Sequence, residues 1–191
     1  IAAGATRDGD ALINEDAELL RACASVELPR SLVCPCLFEA PTAPHIAARA
    51  EGRRIEPALI AAAYADIRRQ ADVVLVEGIG GWALPVGPEV MLSDVVARLG
   101  LPVLLVVGVR LGSLNHALLT ARAIAADGAR LVGWVANTVD PAYAYGTETV
   151  EALAERIDAP CVGRVDWQPG ARPDTIVASL GRAVDLMAGP G

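Results

Sequence analysis

Lysine is missing altogether. All 16 basic residues among the 191 are arginines, so no site within these residues can rest on a lysine amine. Aromatics are scarce, with one Phe, three Tyr and three Trp, which leaves Ala, Val and Leu to build the core. Acidic residues outnumber basic ones to a formal net charge of -7. That balance argues against a nucleic-acid footprint, which depends on a basic stripe. Anionic ligands stay possible, because helix N-termini and metal ions hold anions without net positive charge. Cysteine is limited to Cys23, Cys34, Cys36 and Cys161. Cys34 and Cys36 flank a single Pro35, which is not Cys-x-x-Cys spacing, and no second pair or nearby His completes a zinc set. Reduced, mostly buried thiols in a cytoplasmic protein are expected. No signal-peptide pattern is present. The longest apolar run, Leu101 to Val109, contains Pro102 and Gly108 and is far too short to span a bilayer.

The length suits one α/β domain. Three apolar runs, Val73 to Val76, Val103 to Val107 and Leu131 to Ala136, read as strands buried on both faces. Helical patterns alternate with them. Glu15 to Ala24 follows Asn14 as an N-cap. Pro57 to Gln70 places a proline in the first turn. Ser93 to Leu99 stops at Gly100. Leu114 to Ala126, Thr147 to Ile157 and Thr175 to Met187 complete the set. Arg164 to Pro173 reads as a turn-rich loop, and Ala188 to Gly191 as a frayed tail. Such alternation predicts a mostly parallel, doubly wound sheet, with ligands bound beyond the C-terminal strand ends.

Five strings could carry chemistry. In Val73 to Trp82 an apolar strand ends in Glu77, and Gly78, Gly80 and Gly81 follow. Acidic strand tips hold Mg²⁺ near phosphates in nucleotide-hydrolysing folds, and glycines admit close backbone approach. A solvated Glu capping a turn is the bland alternative. In Val107 to Ala117 a strand turns into a helix whose first amides suit a carboxylate or phosphate, with Ser113 as N-cap. His116 reads as structural, since no Cys or Ser is placed to pair with it. Leu131 to Thr138 ends in Asn137, whose amide can read a base edge or simply serve a turn. Asn14, Glu15 and Asp16 open a helix, where acids suit the dipole. In Ala40 to Ala47, Pro41 and Pro44 stiffen the approach to a helix with His45 at its start.

Taken in order, these strings resemble dethiobiotin synthases. The matching set is APTAPHIAA, VLVEGIGGW, LPVLLVVGVRLGSLNHALLTA and GWVAN, and the similarity runs from Ile1 to about Trp167. The resemblance implies a P-loop NTPase-like fold and a ligase that uses ATP, Mg²⁺ and CO2 to close a ring on 7,8-diaminopelargonate. It implies that Asp16 and Glu77 bind Mg²⁺. Gly78, Ile79 and Gly80 would then lie beside the phosphates. Asn137 and Thr138 would meet adenine, and Asp166, Trp167 and Gln168 would flank the nucleotide. Gly112, Ser113, Leu114 and Asn115 would hold the substrate carboxylate across a homodimer interface, with Ala3 also at the substrate. The implied setting is the cytoplasm, with no nucleic acid or membrane partner.

The chain departs from the family at its start. No Gly-x-x-x-x-x-Gly-Lys-Thr phosphate loop occurs, and with no lysine none is hidden in a variant. Ile1 to Gly4 resemble the tail of the family's Lys-Pro-Val-Ala-Ser-Gly string, so the catalytic lysine is expected just upstream of Ile1. Ala3 then stands where a Ser often contacts substrate. The natural protein is expected to be longer by on the order of 35–40 residues, one strand–loop–helix–strand unit. The 191 residues alone are expected not to turn over ATP. Three other readings compete with this one. A cobyrinate-type amidotransferase synthetase needs a glutaminase Cys and His that have no room here. A partition-type ATPase needs a basic surface. A catalytically dead dimeric relative has no use for Glu77, Asp16 and Asn137.

Overall fold

A short hairpin begins the fold: β1 (Thr6–Asp8) pairs antiparallel with β2 (Ala11–Ile13), Asp8 opposite Ala11. Gly9 opens the two-residue Gly9-Asp10 loop at φ 59°, a positive φ that favours glycine at the first position of a tight hairpin turn. The structure is a computed structural model that describes residues 1–170 and 176–183. It divides into two compact units, Ile1–Leu99 and Gly100–Gly191.

The first unit is mainly helical. Asn14 caps α1 (Glu15–Cys23) as expected, its side chain accepting from the Ala17 N–H at 3.1 Å. A short α2 (Arg30–Val33), absent from the sequence reading, follows. Prolines start α3 (Pro44–Ala50) and α4 (Pro57–Arg68), where a missing N–H costs nothing. The last helix, α5 (Leu92–Leu99), stops at Gly100 with φ 64°. The core gathers around Phe38, which is fully buried among Cys36, Ala47, Ile55, Val86 and Val95. Its strip of chain is held by Ala2 and Ala5: Phe38 N–H donates to Ala2 O at 3.1 Å and Ala5 N–H to Phe38 O at 3.0 Å.

The run Val73 to Val76 is not the buried strand expected. It has no ladder partner among the described residues, and Leu75 is 66% exposed. A strand exists only through hydrogen bonds to a neighbour. An apolar run shows that a segment can be covered, not that a neighbour is there to cover it.

The second unit is the expected parallel sheet, ordered β3-β4-β5. β3 (Val103–Val109) pairs with β4 (Leu131–Thr138), which pairs with β5 (Cys161–Val165). α6 (Ser113–Ala126) and α7 (Gly146–Ala154) make the connections. Alternation assigns the faces. Val107, Val109, Trp134 and Ala136 pack on Ala117, Val150 and Leu153 of the helices. On the opposite face Leu104, Val135, Val162 and Val165 meet Leu180 and Ala183, but Val106 on that face of β3 is 59% exposed, so the expected burial of β3 on both faces is incomplete among the described residues. β5 escaped the sequence reading because Gly163 and Arg164 interrupt its apolar character. Of the helix expected over Thr175 to Met187, the described residues show a 3-10 turn at Val177–Leu180 with helical residues on either side, and Thr175 and 184–187 lie outside the described residues. The loop expected over Arg164 to Pro173 begins after Val165, and 171–173 and the tail Ala188 to Gly191 also lie outside them. No helix of the described residues is long and apolar enough to cross a membrane.

Candidate functional site

The expected site residues fall into two sets, one in each unit. In the first unit Ala3, Asp16, Glu77, Gly78, Ile79 and Gly80 line a single cavity of about 580 Å³. Asp16 reaches it from the first turn of α1. Asn14 ties that turn to the start of the chain, its Nδ2 donating to Ala3 O at 3.4 Å as well as capping the helix. Glu77 arrives on the extended run after Val76, and Gly80 turns the chain at φ 84°. Leu20, Leu32, Ile60 and Tyr64 give the cavity an apolar wall. Both carboxylates are exposed and have no ion pair among the described residues.

Neighbouring acids are committed elsewhere. Glu18 binds Arg30 at 2.6 Å and Arg21 at 2.8 Å. Those hydrogen bonds, Arg30's first and Arg21's second, hold its carboxyl at about 2. Glu51 accepts the Glu39 N–H at 2.7 Å, and that bond, ahead of Arg53, lowers its pKa. Burial pushes the Cys36 thiol up, which suits an inert core cysteine. All four cysteines are free, with Cys34 and Cys36 buried and Cys23 exposed. No group of three or more His, Cys, Asp or Glu that could hold a metal occurs among the described residues. Asp16 and Glu77 are nonetheless a fitting donor set for Mg²⁺, which takes one or two carboxylates and draws its other ligands from phosphates and water.

The second set lies at the C-terminal ends of the strands. Asn137 and Thr138 close β4, opposite Gly108 and Val109 of β3, with Val165 opposite Asn137 on the other side. Neither side chain has a hydrogen-bond partner among the described residues. Asp166, Trp167 and Gln168 follow β5 and are all exposed.

At the start of α6 the expectation needs correcting. Ser113 is the first helical residue, not the N-cap; the cap is Gly112 at φ 91°, with no side-chain cap. Glycine occupies the cap because a left-handed residue is needed there. Ser113 N–H donates to Arg110 O at 3.1 Å and His116 N–H to Gly112 O at 3.4 Å. The Leu114 and Asn115 amides have no acceptor among the described residues. The Ser113 hydroxyl is buried without a partner. His116 is exposed on the helix, consistent with no catalytic pairing. Sequence reasoning passed over Arg110, which lines a groove of about 180 Å³ with Ser113, His116 and Thr120. Its signal was a lone arginine between a buried strand and the helix-capping glycine.

A parallel sheet flanked by helices, with its polar groups at strand ends and helix starts, defines an α/β protein, and its match to an AAA-type family model makes it P-loop NTPase-like. The family model described as "AAA domain" matches residues 5–175. Among curated proteins, the chain is 49% identical over 180 residues to the ATP-dependent dethiobiotin synthetase of Aromatoleum aromaticum, covering 94% of this chain and 80% of that one. It is 47% identical over 184 residues to the Janthinobacterium protein of that name, with 94% and 78% covered. To the Ralstonia nicotianae protein it is 47% identical over 179 residues, with 94% and 77% covered. The chain belongs to the dethiobiotin synthetase family, and it is a ligase.

Proposed function

We propose that this protein closes the ureido ring of dethiobiotin from 7,8-diaminopelargonate, CO2 and ATP in the cytoplasm, as one functional domain spanning both units. The observation that carries the reading is the meeting of Ala3, Asp16, Glu77 and Gly78 to Gly80 in one cavity. Asp16 and Glu77 would hold Mg²⁺, which neutralises phosphate charge when bound. Gly78, Ile79 and Gly80 let the backbone approach the phosphates. Asn137 presents a donor and an acceptor to adenine, beside Thr138. Asp166, Trp167 and Gln168 flank the nucleotide. Ala3 faces the diamine, and Gly112, Ser113, Leu114 and Asn115 take its carboxylate through the free amides of α6.

The chemistry is mostly positioning. One amine adds to CO2 and loses a proton, giving a carbamate. A carbamate oxygen attacks the γ-phosphorus of ATP, and ADP leaves. The second amine then attacks the carbamoyl carbon, expels phosphate and gives up a proton as the ring closes. The protein acts as a homodimer whose α6 turn serves its partner's site. Exposed Leu111, Leu114 and Leu119 around that turn support such an interface.

The protein is expected to release phosphate from ATP only when diamine and bicarbonate are both present. Phosphate release indifferent to the diamine would overturn the reading. One observation favours a second reading, a dimeric relative that binds ligands without turnover: the 191 residues hold no lysine.

A further inference from the structure

We propose that Arg110 is a specificity-determining residue, pairing with the carboxylate of the ligand held at the α6 turn. This rests on the reading of that turn as the substrate-carboxylate site. The end of β3 delivers Arg110 directly to the groove, three residues before Ser113. Six other arginines, among them Arg21, Arg30 and Arg53, meet a carboxylate of the protein. Arg110 has no side-chain partner among the described residues, and no acidic residue lines its groove.

The groove also contains an unmet hydroxyl. Ser113 is 3% exposed and its Oγ has no partner, a costly arrangement unless something else supplies the hydrogen bond. The Leu114 and Asn115 amides are free at the same helix start. α6 is 14 residues long and ends in no competing cap at its N-terminus, so its dipole is available to an anion. Hydroxyl, amides and dipole would accept many oxygen-bearing groups. A guanidinium adds a full charge and a fork that matches the two oxygens of a carboxylate. Arg110 therefore turns a general acceptor site into one that distinguishes a free acid from a neutral ester. The absence of lysine makes this distinction depend on Arg110 alone among permanent charges lining the groove.

The test compares binding of 7,8-diaminopelargonate and its methyl ester to the protein by calorimetry, with amide NMR shifts at Leu114 and Asn115. R110Q is expected to weaken the acid by about ten-fold and to leave the ester unchanged. R110K is expected to recover part of the loss, since it restores charge without the fork. Equal binding of the acid to wild type and R110Q overturns the role of Arg110. So does a parallel loss of acid and ester. If the acid binds wild type without shifting the Leu114 and Asn115 amides, the carboxylate reading of the turn itself has failed, and the inference with it.

Discussion

The Trp134 indole donates its Nε1–H to Ala159 O at 3.2 Å, fastening the middle strand of the sheet to the turn before β5. Trp134 is fully buried beneath α6 and α7. Trp134→Ala opens a cavity in the centre of the second unit and is expected to cost about 3–5 kcal/mol. Trp134→Phe keeps most of the packing but strands a carbonyl, for roughly 1–3 kcal/mol. Urea unfolding followed by far-UV circular dichroism ranks the two. Equal losses would mean that packing around the ring contributes little.

Close approach sets a second expectation, at Gly163 on β5. A Cβ there would sit 2.7 Å from the Ser179 carbonyl oxygen and 3.0 Å from a Leu180 methyl. Both belong to the segment covering the second face of the sheet. Gly163→Ala is expected to displace that segment and to cost about 1–3 kcal/mol, as overpacking does. Limited proteolysis should then cut near 176–183 in the variant but not in wild type. Gly181→Ala, with open space around its Cβ, serves as the comparison.

Much of this was legible in the sequence. Val103 to Val107 and Leu131 to Ala136 became neighbouring strands of the parallel sheet, because short apolar runs rich in valine and bounded by turn residues have few other stable uses. Asn14, Pro57 and Gly100 marked helix ends because capping is local chemistry. The residues that failed to read depend on non-local contact. Val73 to Val76 has the composition of a buried strand, but composition cannot supply the neighbour that strand pairing requires. Gly163 looked like an interruption and is the point where another segment presses against the strand. Ser113 looked like a cap, yet Gly112 took that place because the turn needs a left-handed residue. At the site, Asp16 and Glu77 lie far apart in sequence but share a cavity, which only the order of the motifs anticipated.

Acid should weaken the link between α1 and α2 in a defined direction. Glu18 is held at about 2, below its ordinary value of 4.5, first by Arg30 and then by Arg21. A depressed carboxylate contributes stability that is present above pH 4.5 and lost as the pH falls towards 2. The pair with Arg30 bridges the two helices, whereas the pair with Arg21 lies within α1. Glu18→Gln is therefore expected to flatten the stability–pH curve over that window and to leave it unchanged near neutrality except for a constant offset. Because the ion pair is exposed, added salt should shrink the difference. An acid limb identical in wild type and variant would assign it to other carboxylates, Glu51 first among them.

The two cavity carboxylates should separate by what each contributes. Asp16 stands in the first turn of a capped helix, where a carboxylate is stabilised by the dipole whether or not a metal is present. Glu77 stands on an unladdered run and has no structural task on its own segment. Asp16→Asn should therefore lower thermal stability slightly as well as metal affinity, while Glu77→Gln should affect metal affinity alone. Each variant is expected to raise the Mg²⁺ concentration for half-maximal phosphate release by at least about ten-fold, since loss of a metal-site group commonly costs about 10–100-fold. Titrating Mg²⁺ at saturating ATP gives that number, and a melt without metal gives the stability term. If Glu77→Gln leaves the Mg²⁺ requirement unchanged while Asp16→Asn raises it, the glycine turn after Glu77 approaches the phosphates without its carboxylate taking part. The metal would then rest on α1 alone.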